Sequence, residues 1–219
     1  MPSFYVENFG CRATQADGAT MERQLTERGL TKSVESHDAD LVVLNTCTVT
    51  AAADQDVRAR IRSLHRRNPG CQILVTGCYA QRAPEELAAL PGVSWVVGNS
   101  HKHQVAEVAS SGFVSLGALR AASSVFSRCE VPKDSVPASG IPSGASRILV
   151  GDIFAHTELQ AAPVFGAGAE RTRPTLKVQD GCDNRCSFCV IPSVRGQSRS
   201  LRLEEVLRQV NELVAAGYR

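Results

Sequence analysis

The chain has 219 residues, 43% of them hydrophobic and 5% aromatic, which suits one large or two small soluble domains with an aliphatic core. Its net charge of +2 is too small for composition alone to announce nucleic-acid binding, and no run of about 18 apolar residues is present to span a membrane. The start, Met1-Pro-Ser-Phe-Tyr-Val-Glu, lacks the basic region and apolar stretch of a secretory signal, so a reducing cytoplasm is the expected compartment. The charge is uneven: residues 1–170 carry 15 basic against 17 acidic side chains, and residues 171–219 carry 9 against 5.

Phe4-Tyr5-Val6 reads as a strand, and residues 17–28 as a helix with Met21 and Leu25 on one face and Gly29 as its stop. Leu41-Val42-Val43-Leu44 is a wholly apolar run of the kind found in a buried parallel strand. Residues 51–67 follow as a helix with Val57, Ile61 and Leu64 inward, ended by Pro69-Gly70. Ile73-Leu74-Val75 is the next strand, Pro84 opens another helix, Trp95-Val96-Val97 is a fourth strand, and residues 101–110 read as helical. This alternation predicts an α/β fold, with a parallel sheet covered on both faces, over residues 1–118.

Residues 119–170 are rich in Ser, Pro, Gly and Ala and read as a linker, with one short strand near Ile148-Leu149-Val150. Residues 171–219 form a second unit: a strand at Thr175–Val178, a loop from Asp180 to about Ser200, and a helix. Leu203, Val206, Leu207, Val210, Leu213 and Val214 lie on one face of that helix. One βα unit cannot bury its own apolar face, so the sequence is expected to be cut short or completed by a partner.

Eight cysteines in a reducing compartment need a reason. Cys71 and Cys129 are scattered and read as small buried hydrophobes. Cys182, Cys186 and Cys189 instead place three thiols within eight residues, with no histidine nearby. Thiolates suit iron–sulfur clusters or zinc, but structural zinc normally takes four protein ligands. Three ligands on a four-iron cube leave one iron open, as a catalytic cluster requires. Zinc and a disulfide are the competing readings.

Cys11, Cys47 and Cys78 each fall at or just beyond the end of an expected strand. The carboxyl ends of neighbouring parallel strands converge on one edge, where ligands bind. These thiols can therefore meet despite their separation in sequence; the competing reading is three unrelated buried cysteines.

The spacing of the triplet on a loop after a strand resembles the radical S-adenosylmethionine enzymes. Gly-Cys-Arg-Ala-Thr-Gln-Ala-Asp (10–17), Asn-Thr-Cys-Thr-Val-Thr (45–50), Thr-Gly-Cys-Tyr-Ala-Gln (76–81) and the segment Lys177–Pro192 followed by Arg195-Gly196 resemble the motifs of the methylthiotransferase family within that superfamily. Thr14 and Asp17 stand where family members often have Asn and Glu, and neither change removes a ligand. The resemblance implies two [4Fe–4S] clusters, an auxiliary one on Cys11, Cys47 and Cys78 and a radical-generating one on Cys182, Cys186 and Cys189. It implies S-adenosyl-L-methionine as cofactor, with Phe188 near its adenine; simple packing is the other reading of Phe188. The fold implied for residues 171–219 is the first βα unit of a (β/α) barrel.

Asn-Thr-Cys-Thr-Val-Thr resembles the branch of the family that acts on N6-threonylcarbamoyladenosine beside the tRNA anticodon. Other branches act on isopentenyladenosine or on a ribosomal-protein aspartate. The implied reaction is hydrogen abstraction from C2 of the adenine ring, sulfur insertion, and methylation from a second S-adenosylmethionine. A tRNA substrate and an electron donor such as flavodoxin or ferredoxin are the implied partners, with no membrane. Arg58, Arg60, Arg62, Arg66 and Arg67, or Arg195, Arg199 and Arg202, could meet an RNA backbone; a solvated face is the competing reading of the first set. His65, His101 and His103 are expected at the surface. This polypeptide alone is expected to be inactive, and an iron–sulfur binding protein without turnover is the alternative from another class.

Overall fold

The computed structural model describes residues 1–111, 146–155, 159 and 174–218. Strands β1 (Ser3–Asn8), β2 (Thr31–Lys32), β3 (Leu41–Thr46), β4 (Gln72–Gly77), β5 (Val93–Gly98) and β6 (Arg147–Leu149) form one sheet in the order β2-β1-β3-β4-β5-β6. Every neighbouring pair is parallel. The expected α/β architecture is therefore present. The short strand expected inside the linker is β6, and it extends this sheet by pairing with β5.

All six residues of β3 are buried, because helices cover both faces of the sheet. Alternation along the strand decides which layer each side chain joins. Val42 and Leu44 pack with Val57, Ile61 and Leu64 of α2 (Ala51–Arg67). Leu41 and Val43 pack with Phe4, Val6, Met21 and Leu25, the last two from α1 (Arg12–Glu27), and with Val105 and Ala109 of α5 (Val105–Ser111). Two short helices, α3 (Cys78–Arg82) and α4 (Pro84–Ala88), connect β4 to β5, and a 3-10 turn at Asn99–Gln104 leads into α5.

Two helices match the sequence unequally. Helix α2 begins and ends where its signals stand: the Thr50 side chain accepts from the Ala53 N–H at 3.2 Å, and His65, Arg66 and Arg67 sit in the last turn. Helix α1 starts at Arg12, five residues before its apolar periodicity becomes visible. Its first turns bury Thr14, Ala16, Asp17 and Gly18, a polar face that no hydrophobic pattern reveals.

The carboxyl-terminal segment departs from the expected strand at Thr175–Val178. The ladder instead joins β7 (Gln179–Asp180) to β8 (Arg199–Ser200), antiparallel. A strand forms only against a partner, and among the described residues the segment's own return supplies it. Between these strands lies α6 (Ile191–Arg195), and α7 (Leu203–Ala215) follows. No barrel closes among the described residues. On α7, Leu213 is buried, whereas Leu203, Leu207, Val210 and Val214 are 38–67% exposed. No described helix is long and apolar enough to cross a membrane.

Candidate metal centre

Strand order reverses at β1, which has β2 on one side and β3 on the other. In open parallel sheets ligands bind outside the carboxyl ends of the strands at such a point. Cys11 follows β1, Cys47 follows β3 and Cys78 follows β4, three adjacent strands. The register pairs Asn8 with Asn45, Asn45 with Thr76, and Thr46 with Gly77, so Cys47 and Cys78 leave the sheet at the same level. Cys47 and Cys78 are buried and Cys11 is exposed.

The backbone is shaped around these thiols. Gly10 has φ +91°, and a Cβ there would lie 2.5 Å from the Cys47 Cβ and 2.8 Å from its Sγ. Gly77 has φ +100°, and its added Cβ would meet the Thr46 carbonyl oxygen at 2.4 Å. Glycine is required at both positions by dihedral and by space. Beneath the thiols lies a polar floor. Asn45 Nδ2 donates to Asn8 Oδ1 at 3.0 Å and to the Thr14 carbonyl at 2.6 Å. Asn45 Oδ1, Thr48 Oγ1, Thr76 Oγ1 and Asn99 Oδ1 are buried and find no hydrogen-bond partner among the described residues. Asn99 Nδ2 lies 3.6 Å from Cys78 Sγ and donates to the Val194 carbonyl at 2.7 Å.

The second cysteine set is more open. Cys186 is exposed, and Cys182 and Cys189 are half-buried. The loop is pinned where it starts, by the Cys182 N–H donating to the Gly196 carbonyl at 3.1 Å, and curls so that the Cys189 N–H donates to the Cys186 carbonyl at 3.0 Å. Phe188 is 91% exposed. Among the described residues, no three His, Cys, Asp or Glu side chains stand close enough to close on a metal ion. The thiols are thus brought to shared edges and loops without being drawn into finished ligand sets. The donor chemistry, the glycine cradle at Cys47 and the orphaned polar atoms fit a thiolate-bound iron–sulfur cluster on Cys11, Cys47 and Cys78. The all-thiolate triplet fits a second by chemistry alone.

A buried ion-pair network joins the two segments. Asp17 Oδ1 accepts from Lys177 Nζ at 2.6 Å, and Asp17 Oδ2 accepts from Lys102 Nζ at 2.8 Å and Arg195 Nη2 at 3.1 Å. Asp180 accepts from Lys177 Nζ at 2.6 Å and from Arg195 Nη1 at 2.7 Å. Burial would raise the Asp17 carboxyl, but Lys102, Lys177 and Arg195 hold it far below the usual aspartate range. For Lys102, burial outweighs Asp17 and lowers the ammonium. Burial works against Arg195 too, yet Asp17, Cys78 and Asp180 raise its guanidinium well above the usual range.

Asp17 was visible in the sequence only as a departure from a motif, and Lys102, Lys177, Asp180 and Asn99 carried no signal as a group. They come together across separations as large as the 178 residues between Asp17 and Arg195.

Several readings change. Arg195 is 3% exposed and held between two aspartates, so it offers nothing to a phosphate. Arg199 is turned inward as well, donating to the Arg195 carbonyl at 2.9 Å, which leaves Arg202 as the exposed member of that set. On α2, Arg60 is held by Glu7 and Ser36, and Arg58 by Tyr79, while Arg62, Arg66 and Arg67 are exposed. His65 and His101 are half-buried rather than surface residues, and His103 is exposed. Cys71 is buried, and burial pushes its thiol up to about 11, consistent with an inert core cysteine. Cys129 lies outside the described residues.

Comparison with known proteins adds to this geometry. Residues 3–98 match a family model described as uncharacterized protein family UPF0004. The chain is 35% identical, over 97% of its length, to the threonylcarbamoyladenosine tRNA methylthiotransferase MtaB of Aquifex aeolicus, covering 45% of that protein. It is 33% identical to the MtaB protein of Bacillus subtilis over 100% of the chain and 42% of that protein. Similarity extends to the ribosomal protein uS12 methylthiotransferase RimO of Roseiflexus castenholzii, at 31% over 99% of the chain and 44% of that protein. The chain thus spans less than half the length of these relatives.

Proposed function

We propose that this chain, which matches the UPF0004 family model at residues 3–98 and is similar over nearly its whole length to curated methylthiotransferases, serves in the C2-methylthiolation of N6-threonylcarbamoyladenosine in tRNA. The observation that carries this reading is the arrival of Cys11, Cys47 and Cys78 at the carboxyl ends of three adjacent strands, with the Cys182–Cys189 loop tied to that edge through Asp17. Residues 1–118 form the unit that holds the auxiliary cluster, 119–170 the connection, which lends β6 to that unit's sheet, and 171–219 the start of the radical S-adenosylmethionine domain. The reaction belongs in the cytoplasm and draws electrons from a donor such as flavodoxin or ferredoxin.

Bound clusters supply single-electron cleavage of S-adenosylmethionine and a site for sulfur; the chain's own residues bind, orient and shield. Cys11, Cys47 and Cys78 hold one cluster, and Cys182, Cys186 and Cys189 hold the other. Gly10 keeps the β1 turn close to Cys47, and burial of Cys47 and Cys78 excludes water from two of the three ligands. Phe188, exposed beside Cys189, is free to stack on the adenine of the cofactor. The threonylcarbamoyladenosine branch is favoured by the Asn45–Thr50 motif and by the names of the two relatives at 33–35% identity.

Anaerobic reconstitution and iron counting test the cluster assignment. About eight irons per chain are expected, and Cys182→Ala should lose about half. A variant that kept all its iron would sink the triplet assignment. The substrate is tested in the source cell by nucleoside mass spectrometry. Deleting the gene should abolish the 2-methylthio form of N6-threonylcarbamoyladenosine and spare that of isopentenyladenosine; the reverse result would move the protein to the other branch.

A further inference from the structure

We propose that Asn99 and Lys102, together with Arg195, are positioning residues that set the reduction potential of the cluster held by Cys11, Cys47 and Cys78. The inference rests on the cluster assignment above. It starts from Asn99, whose side-chain nitrogen carries two hydrogens and faces two acceptors, Cys78 Sγ at 3.6 Å and the Val194 carbonyl at 2.7 Å. One amide therefore touches a ligand sulfur of the first cysteine set and the helix that follows the second. The other end of that amide, Asn99 Oδ1, is buried and finds no partner among the described residues, so the two N–H contacts orient the group.

Lys102 follows in the same 3-10 turn, and its ammonium reaches Asp17 at 2.8 Å. Arg195 reaches the same carboxylate oxygen from α6. Around Asp17 and Asp180, the cations Lys102, Lys177, Arg195 and, at 3.9 Å from Asp180, Arg199 outnumber the two carboxylates by two. A surplus cation in a dry site demands a counter-charge. Cys78 is 2% exposed, and the Asn99 amide ties it to both cations: Asn99 shares its 3-10 turn with Lys102 and donates to the carbonyl of Val194, the neighbour of Arg195. A thiolate-bound cluster there supplies the missing negative charge. Its reduced form carries one more negative charge than its oxidised form. Net positive charge and N–H···S hydrogen bonds both favour that form, and both raise the potential. Burial strengthens the effect, because water is not present to screen it.

The test uses the full chain with Cys182, Cys186 and Cys189 changed to alanine, so that a single cluster is read. Protein reconstituted anaerobically with iron and sulfide is titrated with dithionite, which donates one electron per cluster, and followed by electron paramagnetic resonance. About four irons per chain are expected; a chain that binds none overturns the cluster assignment and this inference with it. Given a cluster, Lys102→Met should shift its midpoint to more negative potential at unchanged iron content, and Lys102→Arg should restore it. A merely structural lysine would change stability and leave the potential alone. Asn99→Ala, which alters no formal charge, should shift the midpoint in the same direction and decides the matter if Lys102→Met loses iron. Unchanged potential in the iron-loaded variants overturns the inference while the cluster assignment stands.

Discussion

Gly10 is constrained twice, by φ +91° and by the 2.5 Å that would separate an added Cβ from the Cβ of Cys47. The left-handed conformation alone costs an alanine about 1–2 kcal/mol. The steric conflict falls on a cysteine at the candidate centre, so the damage should be local. Gly10→Ala should fold, keep the iron of the Cys182–Cys189 set and lose about half of the total iron. Full iron content would show that the turn does not shape the ligand set. Asp17 is constrained by charge instead. Its folded carboxyl sits below the ordinary aspartate range, so across that interval the unfolded chain binds more protons and stability rises with pH. The contribution is complete above about pH 4 and declines as pH falls toward the depressed folded value. In cluster-free chain at pH 7, Asp17→Asn strands Lys102 and leaves Lys177 and Arg195 with Asp180 alone, and should cost about 3–5 kcal/mol by urea unfolding. At pH 3 the gap between parent and variant should narrow; a gap independent of pH would remove Asp17 from the ion-pair account.

Among the elements, the contrast between α2 and α7 shows what helical periodicity does and does not say. Both carry a clear apolar face. That of α2 is buried against β3 and β4, with Ile61 fully enclosed, whereas Val214 on α7 is 61% exposed. Ile61→Ala should therefore cost about 2–5 kcal/mol. Val214→Ala should stay within about 0.5 kcal/mol in the same unfolding assay; a large loss would mean that α7 is packed in solution. The sheet was legible because each of its long strands is a short apolar run closed by a turn signal, and β3 announced its burial by having no polar face in Leu41–Leu44. The first turn of α1 was not legible, because it buries Thr14, Asp17 and Gly18 toward the cysteine edge. The strand expected at Thr175–Val178 failed for a different reason, since local propensity cannot show whether a partner strand is available. The cysteines could be proposed as ligands by motif, because ligands are a matter of residue type and spacing. The Asp17 network could not, because an ion pair between residues 160 positions apart leaves no local pattern.

For the whole molecule, that network determines whether the sheet and the cysteine loop behave as one body. Lys177 and Arg195 flank the loop that carries Cys182, Cys186 and Cys189, and both donate to Asp17 on α1. Asn99 adds a contact from the β5 edge to the Val194 carbonyl. Among the described residues, the loop's own ties are the two-residue β7–β8 ladder, a handful of backbone bonds, and side-chain bonds such as Ser198 N–H to Asp183 and Arg195 to Asp180. Buried ion pairs contribute little net stability over apolar substitutes, but they fix geometry, because any other arrangement leaves a charge unpaired. The sheet has an independent source of stability in its two apolar layers. Uncoupling should therefore free the loop before it loosens the sheet. Hydrogen–deuterium exchange on an Asp17→Asn chain should show faster exchange over residues 182–196, while β3 and β4 keep the protection of the parent. Lys177→Met should reproduce the pattern from the other side of the pair. Equal acceleration in β3 would mean that Asp17 supports the sheet itself, and an unchanged loop would mean that the loop's own bonds suffice to hold the second cysteine set in place.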